Sequence, residues 1–219
     1  MKLYSANLSP YASRARLAIY AKGLTVEIAY PPGGGLKSPE YLAITPLGKA
    51  PCLETASGEA IPESYVILEY LEDLHPEPSL LKGSPEQRAR IRLIARIADL
   101  YVMGAAQALF AQLNPATRDP ATSEGQLDKL AQGLAWVECY LADDGYAVGA
   151  DFSLADCMLA PALIWVPIMA QGLGRPGLAT ANPKLTAYTG RVKAHPAVAR
   201  VWAEMEKAIA HYQATGQLS

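Results

Sequence analysis

The stretch Asn7 to Leu17 reads NLSPYASRARL. A short strand-like run, KLY at 2–4, precedes it, and a helical pattern running to Gly23 follows. Ser9 therefore stands at a strand-to-helix junction. Pro10 falls at the first helical position, where its fixed φ and missing N–H are tolerated. Two roles suit Ser9. As a cap, its oxygen accepts a hydrogen bond from a first-turn N–H. As a functional group, its hydroxyl lies beside unpaired N–H groups and the positive end of a helix dipole, where an anion is favoured. One hydroxyl can do both, because it carries a donor as well as acceptor lone pairs.

Outward from this junction the first eighty residues alternate. TVEIAY (25–30) is rich in β-branched residues and reads as a strand. PPGGG is a loop, and SPEYLAI a short helix. PCLET and EAIP read as two strands of a hairpin turned at Ser57-Gly58, and SYVILEYLEDL as an amphipathic helix. The order is β-α-β-α-β-β-α. Pro76 and Pro78 mark a linker, and from there only helices are predicted. SPEQ at 84–87 is a capping box that opens a long helix to about Leu113. SEGQ at 123–126 is expected to open the next helix, SLAD at 153–156 an apolar one, and NPKL and HPAV the last two. The predicted domains are 1–77, α/β, and 84–219, all-α.

The chain has 219 residues, enough for one large or two small domains, and 51% are hydrophobic, enough for a sizeable core. A net charge of −2 with interspersed signs gives no nucleic-acid or membrane-binding footprint. The run CMLAPALIWVPIMA (157–170) is too short for a bilayer and holds Pro161 and Pro167, so a buried core helix is expected. Met1 to Arg14 holds no apolar leader, and three scattered cysteines suit neither a disulfide framework nor a zinc site. A reducing, cytoplasmic setting without metal is the expectation.

SPYA has the frame of a C-P-Y-C glutaredoxin motif with both thiols replaced, so dithiol exchange is excluded at this position. Ala50-Pro51, before the third strand, occupies the place of the cis-proline in a thioredoxin-like fold. On these residues the chain resembles the cytosolic glutathione transferases. SPYASRARLAIYAKGL, KSPEYLAITPLGKAPCLE and IPESYVILEYLED follow that family's N-terminal pattern in order and spacing, and GADFSLADCMLAPAL is similar to the start of its central C-terminal helix. The S-P-aromatic-x-x-R element looks most like the serine-type classes related to tau and omega. Omega enzymes keep a cysteine where this chain has Ser9, which speaks against thiol transfer.

The resemblance implies an α/β thioredoxin-like N-terminal domain, an all-α C-terminal domain, a homodimer, and glutathione as co-substrate for attack on a small electrophile. Ser9 is then the catalytic hydroxyl, donating to the glutathione sulfur and favouring thiolate; the alternative is a cap alone. Ser64 at a helix start is expected to hold the γ-glutamyl carboxylate and Glu63 to face the ammonium. Ala50 and Pro51 are expected to pair with the cysteinyl unit, and Lys37 and Lys49 are candidates for the glycine carboxylate. Tyr11, Tyr101, Gln107, Phe110 and Trp165 are second-substrate candidates, with Met103 and Met169 beside them; apolar residues at helical spacing are more often core than pocket. Asp99 is a candidate to reach a partner's site. Tyr4, inside the first strand, is expected to be core rather than catalytic, and Cys52 a buried small hydrophobe. Arg14 and Arg16 fit a surface role or an ion pair as well as support of the thiolate. Other glutathione-dependent reactions, and a non-catalytic binding protein on the same fold, remain open at this level.

Overall fold

The computed structural model describes residues 1–216. Strand β1 (Lys2–Tyr4) leads through the Ser9 turn into α1 (Pro10–Ala21) and then to β2 (Glu27–Ala29). After α2 (Pro39–Ile44), β3 (Cys52–Glu54) and β4 (Ala60–Pro62) form the hairpin, and α3 (Ser64–Leu74) follows. The sheet order is β2-β1-β3-β4, with β1 parallel to β2 and antiparallel to β3. Each predicted element of this region is present, and the sheet is mixed and thioredoxin-like.

Sequence sets the ends of α1 locally. It starts on Ser9 and Pro10, and it stops where Gly23 takes φ 64°. There Leu24 N–H donates to the Ile19 carbonyl at 3.0 Å and Gly23 N–H to Tyr20 at 3.1 Å, which closes the helix end. Gly48 (φ 53°) is required by a close approach: a Cβ there would stand 2.8 Å from the Leu36 carbonyl oxygen. Tyr4, Tyr41 and Cys52 form a buried cluster on the sheet, with the two tyrosine rings edge-on at 5.6 Å. Tyr4 and Cys52 are thus core residues, as expected.

Two compact units emerge, and their boundary departs from the expected one. The first is Met1–Ser79 together with the chain from Pro196 onward, and the second is Leu80–His195. The sequence reading assigned everything after 84 to the helical domain. The final helix, α10 (Pro196–Thr215), instead packs on α1. Its Glu204 accepts from Tyr20 Oη at 3.0 Å, and Arg200 lies over the Tyr20 ring at 3.7 Å. Apolar periodicity marks a buried face but does not say which neighbour covers it.

The second unit holds α4 (Pro85–Ile97), a π-type turn (Ala98–Met103), α5 (Gly104–Gln112), α6 (Pro120–Tyr140), α7 (Leu154–Leu163), α8 (Trp165–Gly172) and α9 (Pro183–Lys193). The Ser84–Gln87 capping box is present. The start of α6 is a correction: Asp119, not Ser123, is the cap, accepting from Ala121 and Thr122 N–H at 3.2 and 3.1 Å. Asp-Pro is the stronger start signal, and Ser123 Oγ instead donates back to the Asp119 carbonyl at 2.8 Å. The apolar run 157–170 forms most of the buried α7 and most of α8, so the one core helix expected there is divided into two that meet at Ile164. At the heart of this unit Asp156, fully buried, accepts from Ser153 N–H (2.8 Å), Ser153 Oγ (2.7 Å), Ala147 N–H (2.9 Å) and Tyr188 Oη (2.8 Å). Burial pushes its carboxyl above the usual range, against the pull of these donors.

Candidate functional site

Ser9 caps α1, and the manner of capping leaves it a second use. Its Oγ accepts from Ala12 N–H at 3.2 Å, and its extended backbone (φ −79°, ψ 121°) carries the side chain across the first turn. An oxygen that accepts there keeps its O–H proton for another acceptor. The Ser9 carbonyl is fixed as well, receiving Ser13 N–H at 3.0 Å and Ser13 Oγ at 2.9 Å. The hydroxyl is therefore held from behind while remaining partly exposed.

A second helix start lies in the same unit. Glu63 precedes α3 with φ 71° and ψ 117°, the one positive-φ non-glycine among the described residues. Such a backbone costs on the order of 1–3 kcal/mol and persists where the surroundings demand it. Glu63 makes no side-chain cap, so the first-turn N–H groups of α3 are left facing outward from Ser64. Ser64 is buried, and its Oγ receives Arg14 Nη1 at 3.4 Å. Arg14 is itself wholly buried and stacks over the Tyr11 ring at 4.8 Å. A buried cation, a hydroxyl and uncapped N–H groups converge on one helix end, a donor set that fits a carboxylate.

Other candidates fall around the same unit. The Ala50-Pro51 peptide is cis and leads directly into β3. Lys49 contributes its carbonyl to Tyr41 Oη at 2.8 Å while its side chain is exposed. Lys37 is exposed and donates to the Leu47 carbonyl at 3.4 Å. In the helical unit Phe110 packs edge-on against Trp165 at 4.8 Å, whereas Tyr101 packs against Trp136 at 4.9 Å, so the structure sorts these aromatics into two separate pairs. Gln107 is exposed, Met103 and Met169 are buried, and Asp99 pairs with Arg96 at 3.1 Å.

Sequence reasoning left open whether Arg14 and Arg16 lie on the surface; they do not. Both are buried, Arg16 beside Asn7, Ser13 and Glu204. The signal was available. Ala12, Ala15, Leu17, Ala18 and Ile19 surround them, and a helix apolar on every side is buried, so its arginines need internal partners. The positive φ of Glu63 had no such signal.

Residues 3–79 match the family model described as glutathione S-transferase, N-terminal domain, and residues 115–191 the one described as glutathione S-transferase, C-terminal domain. A probable glutathione S-transferase of Zea mays is 31% identical, over 95% of this chain and 93% of that protein. The chain belongs to the glutathione S-transferase family. Within it, a maleylacetoacetate isomerase of Pseudomonas aeruginosa is 33% identical, over 90% of this chain and 93% of the relative. A glutathione S-transferase of Methylobacillus flagellatus, solved with glutathione bound, superposes with a TM-score of 0.77 at 27% identity, covering 91% and 98% of the two chains. In this family member, then, the serine turn and the Glu63-Ser64 helix start both fall inside the matched N-terminal segment.

Proposed function

We propose that this transferase binds glutathione at the Glu63-Ser64 helix start and activates its sulfur at Ser9, for transfer to a hydrophobic electrophile. Glutathione supplies the thiol, whose ionised form is the nucleophile. The observation that carries the reading is the Ser9 hydroxyl, anchored as an acceptor to Ala12 N–H and free to donate its proton. A hydrogen bond to an ion contributes roughly 1.5–3 kcal/mol, enough to lower a thiol pKa by about one to two units. Ser64 and the α3 N–H groups hold the γ-glutamyl carboxylate, with Arg14 adding positive charge, and Glu63 faces the ammonium. Ala50 offers its backbone to the cysteinyl unit, and Lys37 and Lys49 meet the glycine carboxylate. Positioning and preorganised charge are the protein's contribution. Phe110, partly exposed and backed by the buried Trp165, offers an aromatic face for the electrophile within the helical unit. A cytoplasmic homodimer completes the reading, and sedimentation checks the assembly.

Similarity to maleylacetoacetate isomerase over nearly the full chain favours a second outcome from the same thiolate. Addition to a cis carbon–carbon double bond, rotation and elimination would return glutathione unchanged. Glutathione consumption separates the two: a conjugate forms with an activated aryl halide in the first case, while a cis-enone diacid is isomerised without net consumption in the second. Neither product, with a normal thiol pKa, would overturn both.

A further inference from the structure

We infer that Arg16 positions the Ser9 turn and that the C-terminal helix α10, through Glu204, holds Arg16 in that role. The inference rests on the thiolate reading above and extends it to residues that touch no substrate.

Arg16 is about as buried as a charged side chain can be, 1% exposed, and burial lowers its pKa while Glu204 opposes the shift. A cation in that setting is retained only with strong partners. Its guanidinium fork spends its donors on the serine turn. Nη1 reaches Asn7 Oδ1, and Nη2 reaches the Asn7 carbonyl at 3.2 Å and Ser13 Oγ at 2.7 Å. Ser13 Oγ passes the restraint on, donating to the Ser9 carbonyl at 2.9 Å. The turn is thus gripped at Asn7 and, one hydrogen bond removed, at Ser9 itself.

The counter-charge comes from the far end of the chain. Glu204 Oε2 pairs with Arg16 Nη1 at 3.2 Å, and its other oxygen accepts from Tyr20 Oη at 3.0 Å and Arg200 Nε at 3.2 Å. These contacts lie within one compact unit. Helix α10 lies outside both matched family segments, which end at residues 79 and 191. A hydroxyl that must meet sulfur along its O–H direction loses strength steeply with misalignment, so small shifts of the turn register in the thiol pKa.

The test is the ultraviolet thiolate titration of bound glutathione in wild type, Ser9→Ala, Arg16→Met, Arg16→Lys, Glu204→Gln and Arg16→Met/Glu204→Gln. Affinity for S-methylglutathione is measured alongside. Arg16→Met is expected to raise the bound thiol pKa by about one unit, and Glu204→Gln by about half a unit. The double variant should match Arg16→Met alone, since the two act through one contact. Affinity for S-methylglutathione should stay within about twofold, a change small on the free-energy scale. Arg16→Lys keeps the charge but not the fork, and its pKa should stay raised. A wild-type pKa in Arg16→Met, or full rescue by lysine, overturns the positioning role while Ser9→Ala still reports the thiolate site. Should Arg16→Met fail to fold, Glu204→Gln decides: an unchanged pKa overturns the inference and a raised one supports it. An unshifted thiol in wild type itself brings down the thiolate reading and this inference together.

Discussion

Ser9 and Ser153 are the same residue at the same kind of place, the cap of a helix, and they have opposite fates. Ser153 is buried, and its hydroxyl donates to Asp156 Oδ2 at 2.7 Å, in a box that also ties down Ala147 and Tyr188. Its hydrogen-bonding capacity is turned inward. Ser9 accepts from Ala12 N–H and stays partly exposed, with Pro10 and Ala12 offering no side-chain acceptor. The proposed role of Ser9 rests on that difference: its oxygen accepts from the helix, and its O–H is left to donate elsewhere. The residue four positions in from the helix start also differs: Cys157 follows a carboxylate, whereas Ser13 is a hydroxyl that reinforces the Ser9 carbonyl.

The largest effect should come from breaking the closed cap. Asp156→Ala removes the acceptor of four hydrogen bonds in a dry interior and should lower unfolding free energy by about 3–5 kcal/mol, read from urea midpoints. Milder loss on this scale would mean that water enters the box. Next comes the α3 start. Ser64→Ala should weaken glutathione binding about 10- to 100-fold by calorimetry, through the lost hydroxyl and a misplaced Arg14, with the bound thiol pKa nearly unchanged.

The serine pair itself is the sharper contrast. Ser9→Ala should raise the bound thiol pKa by about one to two units, and Ser153→Ala should leave it where it is. Ser9→Ala loses a cap and should lose about 1 kcal/mol of stability, and Ser153→Ala loses a buried bond to a carboxylate and should lose roughly 1.5–3 kcal/mol; equal thiol pKa values in the two would erase the distinction drawn here.

The smallest effect concerns a hydroxyl that resembles Ser153 in being turned inward. Burial, and then donation to Glu54 at 2.8 Å, push Tyr4 up to about 12 from an ordinary 10.0. The folded state keeps this proton where the unfolded chain has lost it. The contribution of Tyr4 is therefore whole below about pH 10 and declines as pH rises toward 12. Tyr4→Phe should flatten the alkaline fall of the urea midpoint and leave the glutathione thiol alone; a shifted thiol would make Tyr4 part of the site.

The serine turn, the strands, the hairpin and most helix starts were legible because they depend on residues a few positions apart, whereas the mixed sheet pairs Lys2 with Glu27 and Glu54. Ser9 to Ala12 and Ser84 to Gln87 are read within one helical turn. The start of α6 was misread at Ser123 because two competing local signals lie four residues apart, and the stronger one, Asp119-Pro120, was passed over. The candidate site was legible as single residues and illegible as an arrangement. Arg14 could be named, but not its reach to Ser64, 50 residues on; Arg16 could be named, but not Glu204 behind it.

The sequence by itself determined the elements, the caps and the residue types at each helix start, because hydrogen bonds along a helix and turn chemistry act over a few residues. Only the tertiary structure decided which arginine faces which helix end, that Glu63 is held at a positive φ, and that the last helix returns to the first. Those outcomes depend on packing and on pairing buried charge between segments as far apart as Tyr20 and Glu204, where local pattern carries no direction.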